Sequence, residues 1–330
     1  MGRRIIFLSH LIFSLLFSSL GQTLYAQNQS SNTNATTLLD LNAPNGTQEG
    51  PINVLNNITN SSHQLTVISS FFPIDEFVQK VGGDIVESSL VIPAGIEPHD
   101  FEPTISQIQN IASADALVYN GLGIENWITK ISPTHKIDAS KGLNVSYSDK
   151  RNMTLDPHVW LDPLLAKKQV ENIRDGLMII DPKNRQTYIS NAKTFLDELD
   201  TLDKTIRAEL ESCKKRDFIS FHNSFSYFAK RYGLTQHSIF NTGPEAEVTP
   251  ARLAEIINLA KSLDLRVVYS EELIDSRYAL VIAQEIPNSK VLVLSPIEGL
   301  TKNEQDAGIG YIDKMHENIK NLSAGLECNQ

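Results

Sequence analysis

Apolar positions recur with two alternating periods, and the switching between them outlines the fold. Gln64 to Ser69 reads as a strand, and about Pro73 to Val81 as a helix ended by Gly82-Gly83. Ser88 to Ile92 is a second strand, running into a loop around His99. Thr104 has the chemistry of a helix N-cap, with Ile105, Ile108, Ile111 and Ala112 at helical spacing behind it. Ala116 to Tyr119 is a short buried strand closed by Asn120-Gly121. Asp162-Pro163 places a capping carboxylate before a proline at the first helical position, and this helix runs to about Ile179. From Arg185 to Glu211 there is no Gly or Pro, and Tyr188, Ala192, Phe195, Leu199, Leu202, Ile206 and Leu210 recur every three or four residues. At 1.5 Å per residue that helix is about 40 Å long, enough to join two lobes.

The second half repeats the rhythm. Strands Phe218–Phe221, Arg266–Ser270 and Val291–Leu294 alternate with helices Ser224–Tyr232, Pro250–Ser262 and Asp275–Glu285, and a helix from Tyr311 to Leu326 follows. Asn241–Val248 reads as a loop. Strand–helix alternation of this kind predicts an α/β fold with parallel sheets.

The N-terminus does not join this pattern. Arg3-Arg4 before an apolar run from Ile5 to Leu20, with Ala26 at a candidate cleavage position, has the form of an export signal over residues 1–26. Leu24 departs from the small residue expected there, so an uncleaved anchor is the alternative. No cysteine follows the run to carry a lipid, and no later segment is long and apolar enough to span a bilayer. Residues 27–63 are rich in Asn, Ser and Thr, as expected of a disordered tether. Their five sequons, at Asn28, Asn34, Asn45, Asn57 and Asn60, would make a glycosylated stalk in a host that modifies exported proteins. The remaining chain, divided at the long helix into 64–184, 185–211 and 212–330, can bury one large core or two smaller ones.

Net charge is −10 and neither half shows a basic stripe, which argues against nucleic acid as a partner. Only Cys213 and Cys328 are present. In an exported protein the two can pair as one disulfide, with two free thiols as the alternative.

Candidate chemistry centres on His99, His158 and His222, spaced about 60 residues apart and each beside the start or end of an expected element. Ligand sites of open α/β sheets lie beyond the carboxyl ends of strands. Imidazole is the commonest side-chain ligand of zinc, so the three suit one shared metal site. Three imidazoles leave a fourth position: a carboxylate there makes a binding site, water a catalytic one. Glu298, in the last loop, and Glu271 and Glu272, at the end of the preceding strand, are candidates for it or for outer carboxylates. A ligating His normally passes its other ring N–H to an oxygen, which brings in Asp100, Glu102, Asp156 and Asp162 as well. His10, His63, His135, His237 and His316 do not fit the pattern. There is no His-Glu-x-x-His helix, Gly-x-Ser-x-Gly elbow, phosphate loop or Gly-x-Gly-x-x-Gly turn, which disfavours an enzyme.

Four segments carry a family resemblance: Ile96-Glu97-Pro98-His99-Asp100-Phe101-Glu102-Pro103-Thr104, the run Tyr119 to Trp127, Asp156-Pro157-His158-Val159-Trp160-Leu161-Asp162-Pro163, and Phe221-His222-Asn223-Ser224-Phe225 through Leu234. In this order they resemble the solute-binding proteins of zinc/manganese ABC importers, over about Gln64 to Leu326. The resemblance implies two lobes, each with a mostly parallel sheet flanked by helices, joined by one long rigid helix with the metal between them. It implies capture of a divalent metal outside the membrane, by a protein secreted or tethered to the outer face, and delivery to an ABC permease by a monomer that is not an enzyme. His222 stands where manganese-preferring members tend to carry Glu, so zinc is the expected metal and manganese the alternative. Two departures stand out. Leu294-Ser295-Pro296 replaces the family's Leu-Asp-Pro, so the fourth ligand falls to Glu298, Glu271 or water. Residues 131–155 hold only His135, and so form no metal-collecting loop. The rival readings are a metal-dependent adhesin or buffer and a three-histidine zinc hydrolase.

Overall fold

A computed structural model describes residues 64–149, 154–240 and 248–328. The expected signal, the tether with its sequons, and most of the 241–248 loop lie outside the described residues.

The first lobe runs β1 (Leu65–Ser69), α1 (Phe72–Gly82), β2 (Val86–Leu90), α2 (Ile105–Ser113), β3 (Ala116–Tyr119) and β4 (Lys136–Asp138). Its sheet has the order β2-β1-β3-β4, all parallel. A small antiparallel pair, β5 (Tyr147–Asp149) and β6 (Thr154–Leu155), precedes α3 (Pro163–Ile180) and the long α4 (Arg185–Glu211). The second lobe runs β7 (Asp217–His222), α5 (Ser226–Tyr232), β8 (Thr235–Phe240), α6 (Pro250–Ser262), β9 (Val267–Ser270), α7 (Arg277–Gln284), β10 (Lys290–Val293), α8 (Lys302–Asp306) and α9 (Tyr311–Gly325). Its sheet, β10-β9-β7-β8, is also parallel. Helices cover both faces of such sheets, so the central strands are apolar in consecutive positions: Leu117, Val118 and Val268 are fully buried.

Helix α4 buries the seven apolar positions its spacing predicts, together with Asp203, which accepts from Tyr232 Oη (2.9 Å). It packs on α1 and α3 of the first lobe and on α5 and α9 of the second. One hydrophobic core therefore runs through both lobes, from Val67 and Leu117 past Phe195 to Phe218 and Tyr311. A smaller cluster around Ile219, Ile256, Val268 and Ile282 fills the outer side of the second sheet. Hydrogen bonds add to the seam between lobes. Trp160 Nε1 donates to Pro296 O (2.8 Å), Tyr311 Oη to Trp160 O (2.6 Å) and Gly95 N to Leu300 O (2.8 Å).

Some boundaries shift. Strand β2 begins at Val86 rather than Ser88, although Val91 N and Ile92 N still bond Ser69 O and Ser70 O. Strands β4, β5, β6 and β8 and helix α8 carry no apolar run that would announce them. Edge strand β8 opens with Thr235-Gln236-His237 and buries only its last three residues. Cys213 and Cys328 are joined as a disulfide, which resolves the alternative of free thiols.

Candidate metal centre

Each histidine is held by its local backbone before it meets the others. His222 ends β7, and the register that pairs Ile219 with Val268 of β9 sets Glu271 beside it. Glu271 accepts from His222 N (3.2 Å) and Nδ1 (2.8 and 3.0 Å). His158 precedes a short 3-10 turn, Val159–Leu161, and Asp156 Oδ1 accepts from its N (3.1 Å) and Nδ1 (2.7 Å). His99 lies in the loop after β2, where the Glu97 carboxylate accepts from its backbone N (3.1 Å). Glu298 comes from the loop after β10.

These four side chains converge. His158 Nε2 lies 3.3 Å from His99 Nε2 and 3.2 Å from His222 Nε2. Glu298 Oε1 is 3.1 Å from the His99 and His158 nitrogens and 3.4 Å from that of His222. A regular tetrahedron with 2.0–2.1 Å bonds has ligand–ligand edges of about 3.3 Å. Carboxylates only accept, so Asp156 and Glu271 place the ring proton of neutral His158 and His222 on Nδ1 and leave Nε2 as a lone pair. Lone pairs converging at this distance repel unless a proton or a cation sits among them. The donor set, three imidazole nitrogens and one oxygen, therefore suits a borderline metal of tetrahedral preference.

The electrostatics agree. Burial alone would lower His222, but Glu271 and Glu298 outweigh it and raise the imidazole well above its ordinary value. His158 is raised in the same way: Asp156 and Glu298 overcome burial. Burial works to raise Glu298, yet His222 and His99 hold its carboxyl well below the usual range. Glu97 is pushed up to about 7, by burial first and then by the negative charge of Glu298.

Some of the predicted carboxylates lie where expected and others do not. Asp156 and Glu271 orient histidines, and Glu298 joins the cluster. Glu102 does not approach it: its side chain is 59% exposed and pairs with Lys130 (3.1 Å). Asp162 caps α3 through Leu164 N (3.0 Å) and binds Arg231 (2.7 Å). Both are a few residues from a histidine in the chain, but their side chains serve a surface pair and a helix end. Asp100 is exposed, and Glu272 faces Ser295 and Lys314. His135 and His316 are exposed and His237 pairs with Asp217 (2.8 Å), away from the cluster. The role of Glu97 was not anticipated, since nothing in sequence shows that its carboxylate folds back on His99 N.

Known proteins resemble this chain over most of its length. The family model described as zinc-uptake complex component A, periplasmic (ZnuA), matches residues 67–325. The high-affinity zinc uptake system protein ZnuA of Bacillus subtilis is 37% identical over 281 residues, 80% of this chain and 88% of that one. The zinc-binding protein AdcA of Streptococcus pyogenes is 34% identical over 286 residues; this chain spans 55% of its length. Among solved structures, the Zn(II)-bound ZnuA-like domain of Streptococcus pneumoniae AdcA aligns with a TM-score of 0.71 at 34% identity, over 80% of this chain and 99% of that one. The laminin-binding protein Lmb of Streptococcus agalactiae, described as a bifunctional adhesin and metal transporter, aligns at 0.73 and 29% identity, over 79% and 99%. With its two parallel sheets and its converging histidines, the chain belongs to the family of periplasmic zinc-uptake component A proteins.

Proposed function

We propose that this protein captures zinc outside the cytoplasm on His99, His158, His222 and Glu298 and delivers it, as a monomer, to an ABC permease. The family is one of transporter solute-binding components rather than of enzymes. The observation that carries the reading is the convergence of three Nε2 atoms and Glu298 Oε1, all within 4.8 Å of one another and with five of their separations at 3.1–3.4 Å. Asp156 and Glu271 orient the imidazoles and add negative charge without touching the metal. The disulfide supports an oxidising compartment. Among the described residues no helix is long and apolar enough to cross a membrane. In this reading the apolar run at the N-terminus exports the protein, and its cleavage decides between release and tethering to the outer face.

Competition calorimetry on metal-stripped protein tests the proposal. Zinc binding that far exceeds manganese binding is expected, with His222→Ala weakening zinc at least about tenfold. Manganese binding of equal strength would overturn the metal, and unchanged zinc affinity in His222→Ala would remove that residue from the site.

A further inference from the structure

Behind the cluster lies a second network of charge that touches none of the three histidines. Lys314 of α9 has a side chain only 2% exposed, a burial lysine tolerates only when paired. Its Nζ meets Glu304 (2.6 Å), Glu272 (3.2 Å) and Glu317 (3.6 Å). Glu272 in turn accepts a hydrogen bond from the Ser295 hydroxyl. That hydroxyl accepts from Ile297 N (3.0 Å), while Asn318, one turn along α9 from Lys314, exchanges hydrogen bonds with both Ser295 N and Ser295 O (2.7 Å each).

Ile297 is the residue this arrangement constrains. It is a β-branched residue at φ +56°, a left-handed conformation that is unfavourable for such a side chain and persists only where its surroundings hold it. The next residue is Glu298. The left-handed turn at Ile297 aims the Glu298 carboxylate so that a single oxygen, Oε1, meets all three imidazoles. Glu271 and Glu272 directly follow strand β9, and their carboxylates meet different partners. One therefore orients His222 while the other anchors the loop that carries Glu298.

We infer that Lys314, Glu272 and Ser295 are positioning residues that lock Glu298 as a one-oxygen fourth ligand and thereby set the preference for zinc over manganese. The inference rests on the proposal that Glu298 is a ligand. Three nitrogens and one fixed oxygen fill a tetrahedral shell and leave no room for the additional oxygens manganese prefers. A loosened loop lets Glu298 swing to two-oxygen contact or admits water, which weakens zinc and leaves manganese, which accepts further oxygens, little affected. A network that merely joined α8 to α9 would have no such effect on metal choice.

The test compares Ser295→Ala and Lys314→Met with Glu298→Ala in the purified protein. Zinc and manganese affinities are measured by competition, and the visible spectrum with cobalt(II) reports coordination number. Ser295→Ala removes one hydroxyl and keeps the fold testable even if Lys314→Met does not fold. The expected result is a zinc affinity about tenfold to a hundredfold weaker in Ser295→Ala, little change for manganese, and a cobalt spectrum shifted away from the four-coordinate pattern. A folded Ser295→Ala with wild-type zinc affinity and wild-type cobalt spectrum, beside a weakened Glu298→Ala, would overturn the positioning role alone. Unchanged zinc affinity in Glu298→Ala would overturn the ligand assignment and the positioning role with it.

Discussion

Both ring nitrogens of His222 face a carboxylate. Nδ1 faces Glu271, Nε2 faces Glu298, and in the metal-free protein both carboxylates favour the imidazolium, which is why its pKa stands well above 6.5. Protons and zinc then compete for the same Nε2 atoms. In the metal-free protein the raised pKa values of His158 and His222 stabilise the fold fully below about pH 6.5, the unfolded value. That contribution is lost as pH rises through the folded values. Zinc reverses the trend, because binding expels those protons: affinity is expected to climb with pH below the raised His158 and His222 values and to level off only above them. Competition titrations across that range check this, and a profile flat down to pH 6 would show that His222 is neutral before metal arrives. Replacing Glu271 with Gln keeps an oxygen but removes charge from Nδ1. It is expected to weaken zinc about tenfold or more and to lower the melting temperature of the metal-free protein below about pH 6.5, read by calorimetry and by a melting curve.

Element by element, legibility followed apolar period and capping chemistry. Helix α4 was readable because its seven buried positions keep a spacing of three and four over 27 residues. Phe195 in that row packs at 5.6 Å from the Phe77 ring of α1, so Phe195→Ala should cost about 3–5 kcal/mol. A thermal melt measures it, and the folded fraction should bind zinc as the parent does, since the cavity lies in the core and not in the cluster. That the three histidines converge was readable because His158 and His222 sit where an element begins or ends and His99 lies in the loop after a strand. Their carboxylate partners were not, because partner choice depends on register and rotamer. Glu271 and Glu272 are adjacent in sequence, and only the pairing of Ile219 with Val268 tells that the first faces His222. Glu102 and Asp162 were attractive through closeness in the chain alone. Strands β4 and β8 escaped for a different reason: they lie at sheet edges, where half-exposed positions admit polar residues and erase the pattern.

Across the whole molecule, covalent and non-covalent ties act at opposite ends of the second lobe. The disulfide joins residues 115 apart, closing nearly all of that lobe into one loop just before β7 begins. In the chain-entropy picture a loop of that length contributes about 5 kcal/mol. His222 sits at the far end of the six-residue strand, about 20 Å on, so reduction should lower the melting temperature clearly and leave zinc affinity almost unchanged. The seam between lobes bears on how the metal leaves. A wide hinge needs few residues and little shared core at the joint. Here one unbroken helix of 27 residues crosses the joint, and the same hydrophobic core continues from one sheet to the other. Trp160, two residues after His158, donates to Pro296 O, two residues before Glu298, so the loops that carry His158 and Glu298 are already fastened together. Opening them widely would break that bond, the Tyr311–Trp160 bond and buried apolar contact at once. Release is therefore expected to proceed by small shifts of the His99 and Glu298 loops. Solution scattering of residues 61–330 should give the same radius of gyration, about 18 Å, with and without zinc. Hydrogen exchange should slow on zinc binding chiefly around residues 95–101 and 295–300. A compaction of several ångströms on binding would instead mean that the lobes separate and that the seam described here belongs to the closed state alone.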